Sequence, residues 1–453
     1  MTGKRRRVSK KGPSEIPKQT PEEIQYPADV TIDGSQAEGG GQILRISLAL
    51  AAVLEHSVCV RNIRKGRSVP GLSAQHLAGA QLVGKIASAP LQGDVLRSTT
   101  LLLKEPQASE ASLPLKSAVS TAGATSLVLQ AALPVALKFL PGLSVQEEKV
   151  SMELGGGTSV LNAPTSDYLK YVLAPNLRHF GVELKCDVVR HGFFPKGGGM
   201  CRITIDKSNC LKADAENGKA ACMLRACSLE KRGTITSIKG SLVVRGKEYV
   251  SAEVVDAMVH QTVQVVRKFT RSQEGYPDFN EEHIAVQQLA ESEAEDDCIV
   301  LTLFASASNQ TVLGSSTIWS PNEAGRFGKA TKTKKYRWES RREEKYEKWR
   351  QTAAECGQRA AQELCETLQG MPVVDPHMAD QLCILMAMAC GRSRLLLSKP
   401  TSHLETAVQV LQQFGIGISL EGISSTNNYF LSCEGVGSSL RSQESVIGDA
   451  FQT

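Results

Sequence analysis

From Val30 to Ser432 the apolar residues of this chain change period repeatedly, from the two-residue alternation of a strand to the 3.6-residue stripe of a helix. Such a rhythm restricts the fold more than any single motif does, because each helix must bury its stripe on a sheet. Val30–Ile32 opens as a short strand, and Gln42 to Leu54 follows as a helix apolar around most of its face, hence largely buried. A strand at Ser57–Arg61 and a helix from Ser73 to about Ala89 come next. The unit returns at Thr100–Lys104 with Ala124–Leu140, and at Lys149–Leu154 with Ser166–Phe180. Val182–Arg190 and Met200–Asp206 read as an antiparallel pair, and Lys207–Lys219 as a polar loop or insertion.

Arg232-Gly233 then starts a fresh unit. It has a strand at Ile235–Val244, a helix from Ala252 to about Arg271, and strands near Cys298–Ala305 and Thr311–Ile318. A charge-dense helical run, Tyr336–Leu368, leads to an apolar helix at Met378–Ala389. The chain closes with a strand at Arg394–Ser398, a helix at His403–Phe414 and short strands near Ile416–Leu420 and Asn428–Ser432. The expected fold is α/β (α+β): a large domain of repeated βα units with antiparallel sheet pairs, plus a smaller inserted α/β domain. The expected bounds are a disordered basic arm at 1–27, the large domain at 28–231 and 372–453, and the insertion at 232–371.

Charge separates the body from two attachments. Residues 1–18 carry a net +6, residues 329–350 another +6, and the remainder of a chain of net +5 is therefore at −7. At 41% hydrophobic and 22% charged, the 453 residues hold enough apolar side chains for a large core, which excludes a disordered or fibrous chain. No apolar run approaches the ~18 residues of a membrane span. The N-terminus has no apolar stretch after its charges and is not expected to be a secretory signal. Twelve cysteines without a C-x-x-C pair point to reduced, mostly buried thiols and not to a disulfide framework or a zinc site. Lys4–Arg7 with Lys10-Lys11 resembles a basic nuclear import signal, giving an expected nuclear (nucleoplasmic) location with the cytoplasm second.

Three triple-glycine runs stand out: Gly39–Gly41, Gly155–Gly157 and Gly197–Gly199. Glycine lets backbone N–H groups approach an anion, and the first run sits directly before a helix. Tight turns are the plainer reading, since none of the three fits a Walker or dinucleotide fingerprint. Arg61 to Leu72 holds four basic residues in seven positions on a Gly/Pro-punctuated loop, followed by Gln75-His76. Arginine forks match phosphate oxygens, so the loop suits a nucleic-acid end; a solvated loop is the alternative. Among eight histidines no pair has zinc spacing. His403 stands at a strand-to-helix turn beside hydroxyls, a place for a cap or packing residue as well as for a catalyst.

Taken together, the segments Asp33–Arg45, Arg64–His76, Ser120–Gln130, Gly155–Pro164, His191–Gly199, Met378–Gln381 and Ser402–Leu404 resemble the RNA 3′-terminal phosphate cyclases. The resemblance implies ATP-dependent conversion of an RNA 3′-phosphate to a 2′,3′-cyclic phosphodiester through a histidyl–AMP and an RNA–pp–A end. It implies His403 as the nucleophile and Glu38 as the ligand of a divalent metal, Mg²⁺ or Mn²⁺. Arg45, Arg64, Arg67, Gln75 and His76 would bind phosphates of ATP or of the RNA end. Gln130, Pro164, His377, Met378, Ala379, Asp380 and Gln381 would frame the nucleoside. The implied partner is RNA with a 3′-phosphate end, with no membrane involved.

Two departures accompany the resemblance. Pro376 and His377 stand where the family often has an acidic residue and a base-stacking Tyr, and Met378 replaces a Leu. The stretch 319–350, which holds all three tryptophans and the second basic cluster, has no recognised counterpart. It reads either as an RNA-binding helix or as a solvated helix with Glu–Lys pairs. The alternative function is that of the catalytically inactive cyclase-like proteins of ribosome biogenesis, which share the fold but lack the nucleophile; His403, Glu38, Arg45 and Arg67 favour the enzyme. A polynucleotide ligase would need a Lys-x-Asp-Gly, absent from this chain.

Overall fold

The computed structural model describes residues 28–106, 114–140, 148–206, 211–213, 220–246, 250–321 and 338–437. The basic arm at 1–27 and most of the first half of the basic run at 329–350 therefore lie outside the described residues.

The alternation of periods folds into one topology used three times. The first copy comprises β1 (Val30–Asp33), α1 (Gly41–Leu54), β2 (Val58–Arg61), α2 (Ala74–Ile86), β3 (Leu91–Gln92) and β4 (Leu101–Leu103). β1 and β2 are parallel, β4 is antiparallel to β2 and to β3, and the order across the sheet is β1-β2-β4-β3. The second copy has β5 (Leu115–Ala118), α3 (Thr125–Phe139), β6 (Lys149–Gly156), a broken helical segment, β7 (Glu183–Arg190) and β8 (Gly199–Asp206). Its order, β5-β6-β8-β7, repeats the first with β5 and β6 parallel.

The broken segment was expected as one helix over Ser166–Phe180. It consists instead of α4 (Ser166–Tyr168), a wide π turn at Leu169–Leu173, α5 (Ala174–Leu177) and a 3₁₀ turn. Pro175 has no N–H for an intrahelical bond, and next to it the Val172 carbonyl accepts from the Asn176 side chain, Nδ2, at 2.9 Å. The polar stretch expected as a loop or insertion at Lys207–Lys219 contains a short strand, β9 (Leu211–Ala213), paired antiparallel with β10 (Ala220–Cys222) just after it.

The third copy is interrupted. It begins with the short β11 (Leu224–Arg225) and β12 (Ser228–Leu229). A separate sheet follows, made of β13 (Ile235–Arg245), β14 (Ile284–Gln288), β15 (Cys298–Ala307) and β16 (Val312–Trp319) in the order β14-β13-β15-β16. Two long helices, α6 (Ala252–Ser272) and α7 (Trp338–Gly370), cover this sheet and share its own apolar cluster, including Met258, Leu301 and Leu364. The third copy then resumes with α8 (Pro376–Met388), β17 (Ala389–Leu397), α9 (Ser402–Gln413), β18 (Ile418–Gly422) and β19 (Tyr429–Val436). β11 and β12 both lie parallel to β17, and the order β17-β19-β18 completes the pattern. β17 begins at Ala389, five residues earlier than expected, because α8 ends there and Ala389 turns to extended geometry.

One continuous apolar cluster joins the three copies, from Ile32 and Leu48 through Val135 and Leu177 to Leu385 and Leu411. α1 is its centre: twelve of its fourteen residues are buried, as the all-round apolar pattern required. Helices of different copies pack on one another, α1 against α3 and α9 and α2 against α3, so residues from different copies meet at helix ends. Among the described residues no helix is long and apolar enough to cross a membrane.

Candidate active site

The helix ends of α1, α8 and α9 meet around His403. Thr401 caps α9, its Oγ1 accepting the Leu404 N–H at 3.1 Å, so His403 occupies the second helical position and does not itself cap the helix. The ring is about half exposed (49%) and its Nδ1 lies 3.1 Å from Glu38 Oε2. The same nitrogen donates to Gln42 Oε1. Gln42, at the start of α1 and only 1% exposed, donates from its Nε2 to Asp380 Oδ2 on α8 at 2.9 Å. Two oxygen acceptors at Nδ1 require that nitrogen to carry a proton, and in the neutral imidazole this selects the tautomer whose Nε2 has a free lone pair. The carboxylate of Asp380 orients the Gln42 amide, and the amide oxygen in turn fixes the imidazole tautomer.

α8 is placed by Asp375, which is fully buried. Its Oδ1 accepts from the Tyr168 hydroxyl at 2.7 Å and from the His377 and Met378 N–H groups at 3.0 and 3.1 Å. Its Oδ2 accepts from the Gly314 N–H of β16 at 3.0 Å. One side chain thus ties the N-terminus of α8 to the second copy and to the inserted sheet.

The cavity beside His403 has a volume of about 300 Å³. Among its walls are Arg45, Gln130, Pro164, His377, Asp380 and Gln381, which brings together most of the residues expected to frame a nucleoside. Arg45 Nε donates to Gln130 Oε1 at 2.9 Å. Burial pulls the Arg45 guanidinium down to about 10, against the support of the Asp380 and Glu38 charges, and it stays cationic at neutral pH. Met378 and Ala379 do not line the cavity. Their side chains, 0% and 1% exposed, point into the main core, because the cavity-facing stripe of α8 is His377, Asp380 and Gln381.

His377 Nε2 meets Glu363 Oε1 of α7 at 2.7 Å. That bond outweighs partial burial and raises the imidazole to about 9, so this wall of the cavity carries a cation at neutral pH. The stabilisation from the pair is present in full below the ordinary histidine range and is lost as pH rises through about 9. Because the pair is substantially exposed, solvent screens its energetic weight.

The phosphate-binding candidates lie on the opposite side of Arg45. His76 Nδ1 accepts from the Ser73 N–H at 3.3 Å and contacts the Ser73 hydroxyl at 2.8 Å in a capping box at the start of α2. Burial, with Arg45 and Arg64 nearby, pushes His76 down to about 3. It is neutral, and its Nε2–H is turned toward Gly41 at the start of α1. Arg67 lies close to Gly40 and the Glu38 carboxylate. Arg64 Nη1 is held by the Gly71 carbonyl at 2.9 Å. Gln75 is engaged differently from the expectation: its Oε1 accepts the Ala124 N–H at 3.0 Å and fixes the start of α3, leaving only its amide N–H groups for a ligand. Among the glycine runs, only the first borders this site. Gly155–Gly157 ends β6, and Gly197 packs against the backbone of Ala122.

Gly41 has a steric duty. A Cβ there would land on the His76 ring, so Gly41→Ala is expected to displace that ring and to cost about 1–3 kcal/mol. A melt by circular dichroism checks this, and unchanged stability would show that the ring has room to move.

Asp380 titrates unusually. Burial raises its carboxyl to about 6, although Arg45, His377 and Gln42 all favour the ionised form. A raised folded-state value means that the unfolded chain ionises first, so stability falls as pH rises from about 4 to 6. Asp380→Asn is therefore expected to melt alongside the parent below about pH 4. It should gain relative to the parent between pH 4 and 6, by up to about 3 kcal/mol, and hold a constant gap above that. Thermal melts across pH 3.5–8 read this directly; a gap independent of pH would remove the carboxyl as its source.

Sequence reasoning named His403 and Glu38 but gave no role to Gln42, Glu363, Asp375 or Tyr168. Gln42 had a usable signal: it follows the first glycine run directly and stands one helical turn before Arg45, on the same face.

The site thus combines a three-copy α/β body, a cavity of about 300 Å³, a half-exposed histidine and arginines at a glycine-rich helix start. The sequence model of the RNA 3′-terminal phosphate cyclase family matches residues 36–419, and the chain belongs to that family. The RNA 3′-terminal phosphate cyclase of Pyrobaculum aerophilum is 30% identical over 408 residues, covering 90% of this chain and 99% of its own. That of Caldivirga maquilingensis is 30% identical over 386 residues, covering 85% and 92%. The protein of the same name from Drosophila melanogaster is 28% identical over 410 residues, covering 90% and 96%.

Proposed function

We propose that this protein cyclises RNA 3′-terminal phosphates at the expense of ATP, with His403 as the adenylyl carrier. The observation that carries the reading is the chain Asp380–Gln42–His403, which engages Nδ1 and leaves Nε2 without a protein partner among the described residues, beside a cavity of nucleoside size. In the proposed sequence, His403 Nε2 attacks the α-phosphorus of ATP. An N–P bond forms, the bond to the β-phosphate oxygen breaks, and pyrophosphate leaves. An oxygen of the RNA 3′-phosphate then attacks the same phosphorus, breaking the N–P bond and restoring the imidazole. Finally the adjacent 2′-hydroxyl attacks the activated RNA phosphorus, loses its proton to solvent, and expels AMP.

The physical logic is that a phosphate monoester has no good leaving group until adenylation supplies one. The vicinal hydroxyl then reacts with an effective molarity of ~10⁵ M or more. Arg45, with Arg67 and the neutral His76 Nε2–H, would bind phosphate oxygens at the start of α1. His377 and Gln381 would border the base. Among the described residues there is no cluster of three metal-ligating side chains. A Mg²⁺ that takes most of its ligands from nucleotide phosphates and water needs only one or two carboxylates, and Glu38 fits that need beside His403. Bound there, the ion would neutralise charge on the phosphates.

Incubation with α-labelled ATP and Mg²⁺ tests the reading. Acid-labile, base-stable label on the protein, discharged by RNA bearing a 3′-phosphate, is the expected result. A chain that takes up no label would instead match the non-catalytic cyclase-like proteins.

A further inference from the structure

A second, larger hollow opens from the cavity beside His403. It has a volume of about 790 Å³ and shares Asn162, Ala163, Ser316 and Glu363 with that cavity, so the two are confluent. One wall is the loop at 160–163, with Leu161 exposed at its rim. The floor is the end of β16 from Ser316 to Ser320, and the other wall is α7 from Thr352 to Glu363. That helical stretch is ~18 Å long at ~1.5 Å per residue. With about 790 Å³ against the about 300 Å³ of the nucleoside-sized cavity, the hollow would accommodate roughly two to three nucleotides.

The chemistry of the walls changes along this length. Near the cavity they are mostly uncharged hydrogen-bonding groups, among them Asn162, Ser316, Thr317 and Gln362, and the Glu363 charge is met by His377. Such groups match the edges of unpaired bases and 2′-hydroxyls. Toward the N-terminus of α7 the exposed face follows helical spacing: Gln362, Arg359, Glu355, Thr352, Lys348, Lys345. Lys345 and Lys348 are exposed, and they continue the groove-lining stripe past its open end. Lys345 also lies over the Trp349 ring, 4.8 Å from its centre. The stripe thus runs from hydrogen-bonding groups beside the cavity, past Arg359 and Glu355, to two lysines at its outer end. Glu344 and Glu347 are exposed beside them, so phosphate contact there rests on Lys345 and Lys348 individually and not on a net positive field.

Resting on the proposed function, we infer that this groove holds the single-stranded nucleotides immediately 5′ of the reacting RNA end, with Lys345 and Lys348 on their phosphates. Lys345 and Lys348, at the end of the stretch without a recognised family counterpart, then act in substrate selection, extending the footprint beyond the terminal nucleotide.

The test is direct binding, by fluorescence anisotropy, of 3′-phosphorylated RNAs graded in length from a dinucleotide to strands longer than the groove. In the full-length protein, affinity should rise with length until the groove is filled and then level off. Lys345→Gln with Lys348→Gln should weaken groove-length RNA about tenfold. It should also lower the salt slope by about 1.4, the value for two contacts of ~0.7 each on single-stranded RNA, while leaving the dinucleotide unaffected. Thr317→Val and Gln362→Ala should weaken long strands with no change in salt slope. Affinity independent of length, or equal losses for short and long RNA, would overturn the inference. The binding assay needs no catalysis, and adenylyl uptake from ATP by the lysine variant should match the parent. A failure of the groove is therefore distinguishable from a failure of the histidyl–AMP mechanism.

Discussion

His403→Ala is expected to take up no adenylyl group from ATP and to lose cyclisation by at least about 10⁴-fold, while its melting temperature stays close to the parent's. The rate effect is large because removing a covalent carrier removes the pathway, as with the nucleophile of any two-step transfer. The fold should tolerate the change because the ring is half exposed, and α9 is capped by Thr401 independently of it. Glu38 and Gln42 each lose a partner at Nδ1, but the ring that is removed borders the open cavity, so water can take its place. His403→Asn is a sharper version: its amide can donate toward Gln42 but has no nucleophilic nitrogen. Equal labelling of either variant and the parent would place the phosphoramidate on another residue.

Gln42→Leu is expected to lower the adenylylation rate by about 10²–10³-fold with little change in the concentration of ATP needed for half-saturation. Leucine keeps much of the volume of this buried position but ends both hydrogen bonds, so the imidazole loses the acceptor that selects its tautomer. Orienting partners of catalytic histidines have effects of this order or larger when their hydrogen bonding is wrong. Glu38 still accepts from Nδ1, which is why the loss should fall short of that from removing the histidine. Gln42→Glu should be at least as damaging. It would put a carboxylate against Asp380, already hard to ionise at about 6, and beside Glu38. Single-turnover kinetics with labelled ATP separate these cases. An unchanged rate in Gln42→Leu would mean that Glu38 alone sets the tautomer.

Asp380 then has two opposed effects: its burial destabilises the ionised fold, and its ionised oxygen aligns Gln42. A variant that is more stable and slower at neutral pH is the expected signature of that conflict.

The sequence by itself determined the alternation of strands and helices, because burying one face imposes a period that neighbouring residues must carry. It determined the buried nature of α1 for the same reason. It also carried the ordered motif set around Glu38, Arg45 and His403, legible through resemblance to the cyclase family because each motif is a short contiguous segment. The short strands β3, β5, β11, β12 and β14 escaped it. Only the tertiary structure decided that Gln42 meets Asp380 across 338 positions of sequence, that Glu363 reaches His377 from the inserted unit, and that Met378 turns inward. It also decided that α7 lines a groove leading to His403. Each of these contacts depends on how three sheets and an insertion pack their helix ends together. Such packing is fixed by the fit of whole surfaces, and no local spacing along the chain encodes it.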